Sequence, residues 1–162
     1  MRPLLGIVSC FWLLLVIPPA VWAEPTKTFQ TKYATIHYAE EKDIDDFIWR
    51  LGGQKREFVS APEMASYRID RLVDRVQAIL DMWPRNFRIT VYLHRGALTA
   101  QKVAYYEKET KIIHVAVDYM SDGVLAHEIA HADIEQYFPT PPPSKMQEIL
   151  AQYVDQHLWN DY

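Results

Sequence analysis

The H-E-x-x-H run at residues 127–131 constrains this chain more than any other feature of its sequence. Side chains four residues apart on a helix lie on one face about a turn apart, so both imidazoles can bind one metal ion. Chance would give roughly 0.01 such runs in a chain of this length and composition. Helix-starting residues precede the run at 121–123, and residues 124–138 contain neither proline nor glycine. The run predicts a metal-binding helix, and the alternative is a helix with buried, hydrogen-bonded histidines.

Two histidines do not complete a zinc site, which also needs a third protein ligand and a carboxylate that accepts a proton from water. Glu128 is the carboxylate within the run. The metzincin pattern requires Gly and His where this chain has Ile134 and Tyr137, so that class is excluded. Asp133 lies two residues beyond His131 and points about 200° away on the same helix, so we expect it not to bind the metal.

The better candidate for the third ligand is Glu148, which follows a connection rich in proline at 138–144. Those prolines predict a stiff turn between two helices, and Ser144 with Gln147 forms a capping-box pattern that predicts the start of the second helix. Glu148 shares one side of this helix with Ala151, whose small side chain would let two helices approach closely. The alternative is that this side faces solvent. The opposite side of the helical wheel holds Met146, Ile149, Leu150, Tyr153 and His157.

The H-E-x-x-H run followed by Glu148 and Ala151 in an E-x-x-A pattern resembles the gluzincins, the thermolysin-like zinc peptidases. The resemblance implies a minimal zincin-like domain of the peptidase MA-like type, an α+β fold in which a small mixed sheet packs on helices. It also implies one zinc ion held by His127, His131 and Glu148, with Glu128 as the general base for peptide hydrolysis.

Two supporting roles follow from the same resemblance. An oxyanion donor is expected, and Tyr153, His157 and Tyr105 are the candidates among which the sequence does not choose. A group that orients a zinc-bound imidazole is also expected. Gln152 occupies the position of an acidic residue in the family pattern and could act only as a neutral acceptor, whereas Asp155 is the charged alternative.

Residues 1–23 have the pattern of a signal peptide, with a positive start, an apolar stretch at 4–17 and small residues before Glu24. We therefore predict an exported, periplasmic or extracellular protein with one domain at 24–162, or alternatively a protein anchored by the uncleaved segment. The single cysteine, Cys10, lies in that segment, so disulfides would not stabilise the mature chain. The net charge of −4, or −5 without Arg2, and the lack of a basic patch make nucleic acid an improbable partner.

Periodicity predicts the order strand, helix, helix, strand, hairpin, helix, helix in the mature chain. The strands are expected at 32–38, 87–94, 103–107 and 111–118. The first helix should end at Gly52, and a capping box at Ser60 should start a longer helix that Pro84 ends. His37, His94 and His114 fall on the polar faces of strands.

Three functional classes are compatible with these features. The leading one is a secreted zinc peptidase that acts on a peptide or protein. The second is a catalytically weak or inactive zincin-like domain that binds peptides, and the third is a structural domain with core histidines. For the first, we expect an extended substrate to pair with the outer edge strand at 103–107, with Tyr105 and Tyr106 on opposite faces of that strand.

Overall fold

The computed structural model describes residues 25–98 and 102–159, and it has the α+β architecture that the sequence predicts. Within these ranges, five helices pack on one five-stranded sheet. The predicted signal peptide lies outside the described residues. The elements in chain order are β1 (Lys27–Gln30), β2 (Ala34–Tyr38), α1 (Glu41–Arg50), α2 (Glu57–Ser60), α3 (Pro62–Leu80), β3 (Ile89–His94), β4 (Ala104–Glu107), β5 (Ile112–Ala116), α4 (Asp122–Tyr137) and α5 (Ser144–His157).

The sheet is mixed, with strand order β1-β2-β3-β5-β4. The central strands β2, β3 and β5 are parallel to one another, whereas the edge strands β1 and β4 pair with β2 and β5 in antiparallel fashion. The hairpin of β4 and β5 is therefore confirmed, and so is the prediction that β4 forms the outer edge. This arrangement puts the edge strand beside α4, the helix that carries the H-E-x-x-H run.

One face of the sheet forms the core with the helices. Alternate residues of β2 and β3 are buried, because successive side chains of a strand point to opposite faces. The buried face of α3 includes Ile69, Leu72, Val73, Val76 and Ile79, which recur at helical spacing. These residues belong to a single apolar cluster that continues through α4 to Ala151 and Val154 of α5. The core thus fixes α4 and α5 relative to the sheet.

The structure corrects both boundaries of α3 and adds the strand β1 and the short helix α2. The sequence analysis did not predict β1, which is exposed along most of its length and lacks the alternation of a half-buried strand. Ser60 does not cap α3: it is the last residue of α2, and its hydroxyl donates to the carbonyl of Arg56. Pro62 is the first residue of α3. That helix ends at Leu80, well before Pro84, because Asp81 adopts a left-handed conformation with φ 53°.

The predictions for α5 need a larger correction. Its capping box does not form, since Ser144 is already helical and Gln147 is buried and donates to the carbonyl of Pro142 instead. The large apolar side chains at Met146, Ile149 and Tyr153 are exposed. The buried residues of this helix are Gln147, Ala151 and Val154. The small-residue side packs on α4, because the space there does not admit larger side chains.

No helix within the described ranges combines the length and the apolar character needed to cross a membrane.

Candidate metal centre

Helix α4 positions three of the four predicted site residues. Ser121 caps the helix, since its hydroxyl accepts a hydrogen bond from the Val124 N–H at 3.3 Å. Ile129 and Ala130 are fully buried and hold the helix on the core. His127 and His131 lie on the side of α4 that faces Glu148 of α5, with 21% and 16% of their side-chain surface exposed.

Close packing between α4 and α5 brings in the third predicted ligand. Ala151 is fully buried between the two helices, as expected for a residue that lets them approach. At the other end of the contact, a Cβ atom on Gly123 would overlap the Oδ1 atom of Asp155. The small side chain of Ala151 lets the helices approach, and this packing places Glu148 opposite the two histidines.

The Nε2 atoms of His127 and His131 face the two carboxylate oxygens of Glu148. The two Nε2 atoms are 3.3 Å apart, and each lies 3.6 Å from a different carboxylate oxygen of Glu148. Ligand atoms about 2.05 Å from a tetrahedral zinc ion would be separated by about 3.3 Å. The spacing and the donor set both fit a zinc ion. Among the described residues, His127, His131 and Glu148 are the group of three whose ligand atoms are close enough together to hold a metal ion.

Glu128 lies beside these three side chains and is held by a backbone N–H of the sheet. One of its carboxylate oxygens, Oε2, accepts a hydrogen bond of 2.7 Å from the backbone N–H of Tyr106 in β4. Burial raises the pKa of Glu128, and the negative charge of Glu148 acts in the same direction. The nearby His127 and the Tyr106 N–H oppose this rise. Glu128 is therefore a fixed, largely desolvated carboxylate, as a general base requires.

Gln147 contacts His131. The sequence analysis missed this role because it assigned Gln147 to a capping box. Its amide donates to Glu135 at 2.9 Å and to the Pro142 carbonyl at 2.8 Å, and its oxygen accepts from Lys108 at 3.3 Å. A hydrogen bond with Gln147 also raises the pKa of His131, although burial and His127 lower it overall. Gln147 thus connects one histidine to the proline-rich turn and to the β4–β5 hairpin.

Gln152 and Asp155 do not orient a histidine through any hydrogen bond that the structure shows among the described residues. Gln152 donates to Oε1 of Glu148 at 2.9 Å, and this bond is the main cause that lowers the pKa of Glu148. Asp155 lies beside Gly123 near the start of α4. The expected support from Gln152 therefore reaches the carboxylate ligand rather than an imidazole.

A cleft runs along β4 over the candidate site. One part, of about 300 Å³, is lined by Tyr105, Tyr106 and all four site residues. A second part, of about 310 Å³, extends toward Val124 and Asp155. Both parts share Lys102, Ala104, His127 and Glu128. The edge strand forms one wall of this continuous cleft.

The candidate oxyanion donors are separated by the structure. Tyr105 lines the cleft, whereas Tyr153 and His157 stack on each other with ring centroids 4.0 Å apart and line neither part of it. Of the three candidates, Tyr105 alone is among the residues that line this cleft. Its ring stacks on His114 at 4.8 Å, on the sheet face opposite Tyr106, whose burial raises its pKa to about 12.

The remaining histidines of the sheet lie on the face away from the helices. His94 Nε2 and His114 Nδ1 are 2.9 Å apart, and burial, followed by the charge of His114, lowers the pKa of His94 to about 4. His37 contacts the ring of Tyr92 in the neighbouring strand. These contacts are cross-strand pairs of a half-buried sheet face, as the sequence pattern predicts.

Asp133 points away from the candidate site, in agreement with its predicted direction. It is fully buried, and its Oδ1 atom accepts a hydrogen bond from Gln77 at 2.9 Å, while Oδ2 has no hydrogen-bond partner in the described structure. Burial raises the pKa of Asp133 to about 7. The sequence gives no signal for this buried carboxyl group, because it depends on α3 packing across α4.

Comparisons of the chain with protein-family models, with curated proteins and with solved structures gave no significant match. The functional interpretation therefore depends on the residues of the site and their geometry.

Proposed function

We propose that this protein is an exported zinc peptidase of the gluzincin type. His127, His131 and Glu148 would hold one zinc ion, and Glu128 would act as the general base. The observation that carries the proposal is the approach of two Nε2 atoms, 3.3 Å apart, to the carboxylate oxygens of Glu148, each 3.6 Å from one of them. The half-buried carboxylate of Glu128 lies beside this group and is not one of its members. A chance grouping of polar residues would not be expected to satisfy both conditions.

The chain's own groups have separate roles in this mechanism. When bound, the zinc ion supplies Lewis acidity and lowers the pKa of an attacking water. Glu128 accepts the proton of that water and delivers it to the departing amine. The Tyr106 N–H holds one oxygen of Glu128 and so fixes the carboxylate in the cleft.

The cleft supports a peptide as the substrate. Its wall is an edge strand, whose outward backbone groups can pair with an extended chain. Because the Tyr106 N–H points outward to Glu128, alternation places the Ala104 N–H on the same outer side and the Tyr105 N–H toward β5. Neither tyrosine therefore offers a free outer N–H to a substrate. Ala104 is the position at which a substrate would pair.

Export is proposed from the signal-peptide pattern of residues 1–23. The mature chain would then begin at Glu24, and an anchored form would retain the segment. N-terminal sequencing of the protein from the native host distinguishes the two.

The test compares the purified protein with its Glu128→Gln variant. Both should bind one zinc ion per chain by elemental mass spectrometry, since Glu128 is not a proposed ligand. Hydrolysis of a quenched-fluorescence peptide library should fall by orders of magnitude in the variant. The control is Glu109→Gln, an exposed carboxylate in the β4–β5 turn, which should leave both measurements unchanged.

Each result assigns the protein to one of the three classes. Zinc with hydrolysis that Glu128→Gln abolishes supports the proposal. Zinc binding without hydrolysis of any library peptide would assign the protein to the peptide-binding class. A protein that binds no zinc would be assigned to the structural class. Equal hydrolysis by both proteins would refute Glu128 as the base.

A further inference from the structure

We propose that Lys102 binds a carboxylate group of the peptide substrate, so that the cleft favours peptides with an acidic side chain or a free C terminus near the scissile bond. This inference rests on the proposed function, because it assigns a substrate class to the same cleft. Three observations support it. Lys102 lines the cleft, no ion pair holds its ammonium within the described residues, and the neighbouring charged groups have contacts of their own.

Lys102 stands where the two parts of the cleft meet. It lines both of them, together with Ala104, His127 and Glu128. Its side chain is exposed, and its ammonium lies 5.4 Å from the centroid of the Tyr105 ring. A ligand that extends along β4 over Glu128 therefore passes this ammonium in either part.

The charge of Lys102 is not neutralised by an ion pair within the described residues. The clearest comparison is Lys108, which follows the last residue of β4. Lys108 also lines the cleft, but its ammonium lies 2.9 Å from Glu135 and also donates to Gln147. Lys108 therefore has a structural contact, whereas Lys102 is available to a ligand.

The acidic groups of the cleft have other assignments. Glu148 is a proposed zinc ligand, and Glu128 is held by the Tyr106 N–H. Burial raises the pKa of Glu128 and the charge of Lys102 opposes this rise, but no ion pair joins the two side chains within the described residues. Asp155 lies on the opposite wall, against Gly123 in the first turn of α4. Its negative charge is favourable there because a helix N terminus carries partial positive charge. Lys102 is thus the lysine of the cleft wall that can compensate a carboxylate on a bound peptide.

The experiment measures binding separately from hydrolysis. Short fluorescent peptides of neutral sequence carry Glu or Gln at each position in turn, and each is made with a free and with an amidated C terminus. Fluorescence anisotropy gives Kd for zinc-loaded Glu128→Gln protein, which should not cleave them. In low salt, the favoured acidic peptide should bind about threefold to fivefold more tightly than its neutral partner, the range of an exposed ion pair.

Two further variants in the same background assign the effect. Lys102→Met keeps the length of the side chain and removes the charge, so the preference should disappear. Lys27→Met is the matched control, because Lys27 is an exposed lysine of β1, at the opposite edge of the sheet. It should keep the preference. The position of the favoured Glu distinguishes side-chain recognition from recognition of the free C terminus, which amidation alone would abolish.

The inference is overturned if Lys102→Met retains the preference, or if neither Glu nor a free C terminus improves binding to the starting protein. The proposed hydrolysis is judged by a different readout. If the preference depends on Lys102 but protein with Glu128 intact cleaves none of the bound peptides, the peptidase proposal fails and Lys102 remains a binding residue.

Discussion

Replacing Asp133 with Asn should make the stability of this protein less sensitive to pH. Asp133 is fully buried, accepts one hydrogen bond from Gln77 and leaves its Oδ2 atom without a partner. Burial raises its pKa from the ordinary 3.8 to about 7. The folded protein therefore retains a proton that the unfolded chain has released. The resulting stabilisation is complete below the unfolded pKa and is lost as the pH rises through about 7.

The size of the effect follows from the two pKa values. The full difference corresponds to about 4 kcal/mol at high pH, since one pKa unit corresponds to about 1.4 kcal/mol. About 2.5 kcal/mol of it develops between about pH 5 and pH 8. An Asn at position 133 keeps an oxygen that can accept from Gln77 and cannot ionise. Asp133→Asn should therefore gain stability relative to the unsubstituted protein by about that amount over this pH interval.

Urea unfolding followed by tryptophan fluorescence, at several pH values with a metal chelator present, measures this difference. The chelator removes the charge of any bound ion from the comparison. Glu109→Gln, in an exposed turn, is the control and should change the pH dependence little. If the free energies of unfolding of Asp133→Asn and the unsubstituted protein change in parallel from about pH 5 to pH 8, Asp133 is ionised normally and the reasoning from its burial is wrong.

Two further predictions concern the site geometry. Ala151→Leu should overpack the contact of α4 with α5 and reduce the free energy of unfolding by about 1–3 kcal/mol. It should also weaken zinc binding, because the larger side chain moves Glu148 away from the histidines. Titration calorimetry with zinc measures the affinity, and an unchanged affinity would contradict the prediction. Ala104→Pro should remove an outward N–H and raise KM for a peptide about twofold to tenfold, with zinc retained. Tyr106→Pro should mainly lower kcat, because it removes the N–H that holds Glu128. Equal effects on KM would show that Ala104 does not pair with substrate.

The candidate ligands could be found from the sequence because their information is local. His127 and His131 are one helical turn apart, and the α-helix brings them together without any tertiary contact. Glu148 required more, since its place depends on the turn at 138–144 and on the packing of Ala151. The E-x-x-A pattern identified it, and the structure brings its carboxylate within 3.6 Å of both histidines.

Side-chain roles that depend on neighbouring elements were predicted less well. The helical wheel of α5 separates large apolar side chains from small and polar ones, but it does not say which side meets α4. The structure buries the small side and exposes Met146 and Ile149. Gln147 was assigned to a helix cap, although its amide bonds to Glu135 and Pro142 across the turn.

The sequence by itself determined the α+β class, the hairpin, the helix with the H-E-x-x-H run and the identity of the candidate ligands, because these follow from periodicity and from spacing along the chain. Tertiary structure alone decided that the Tyr106 N–H holds Glu128, that Tyr105 rather than Tyr153 lines the cleft, and that Asp133 is buried with one unpaired oxygen. The physical reason is that these features arise between elements distant in sequence. Their distances are set by packing of the whole core.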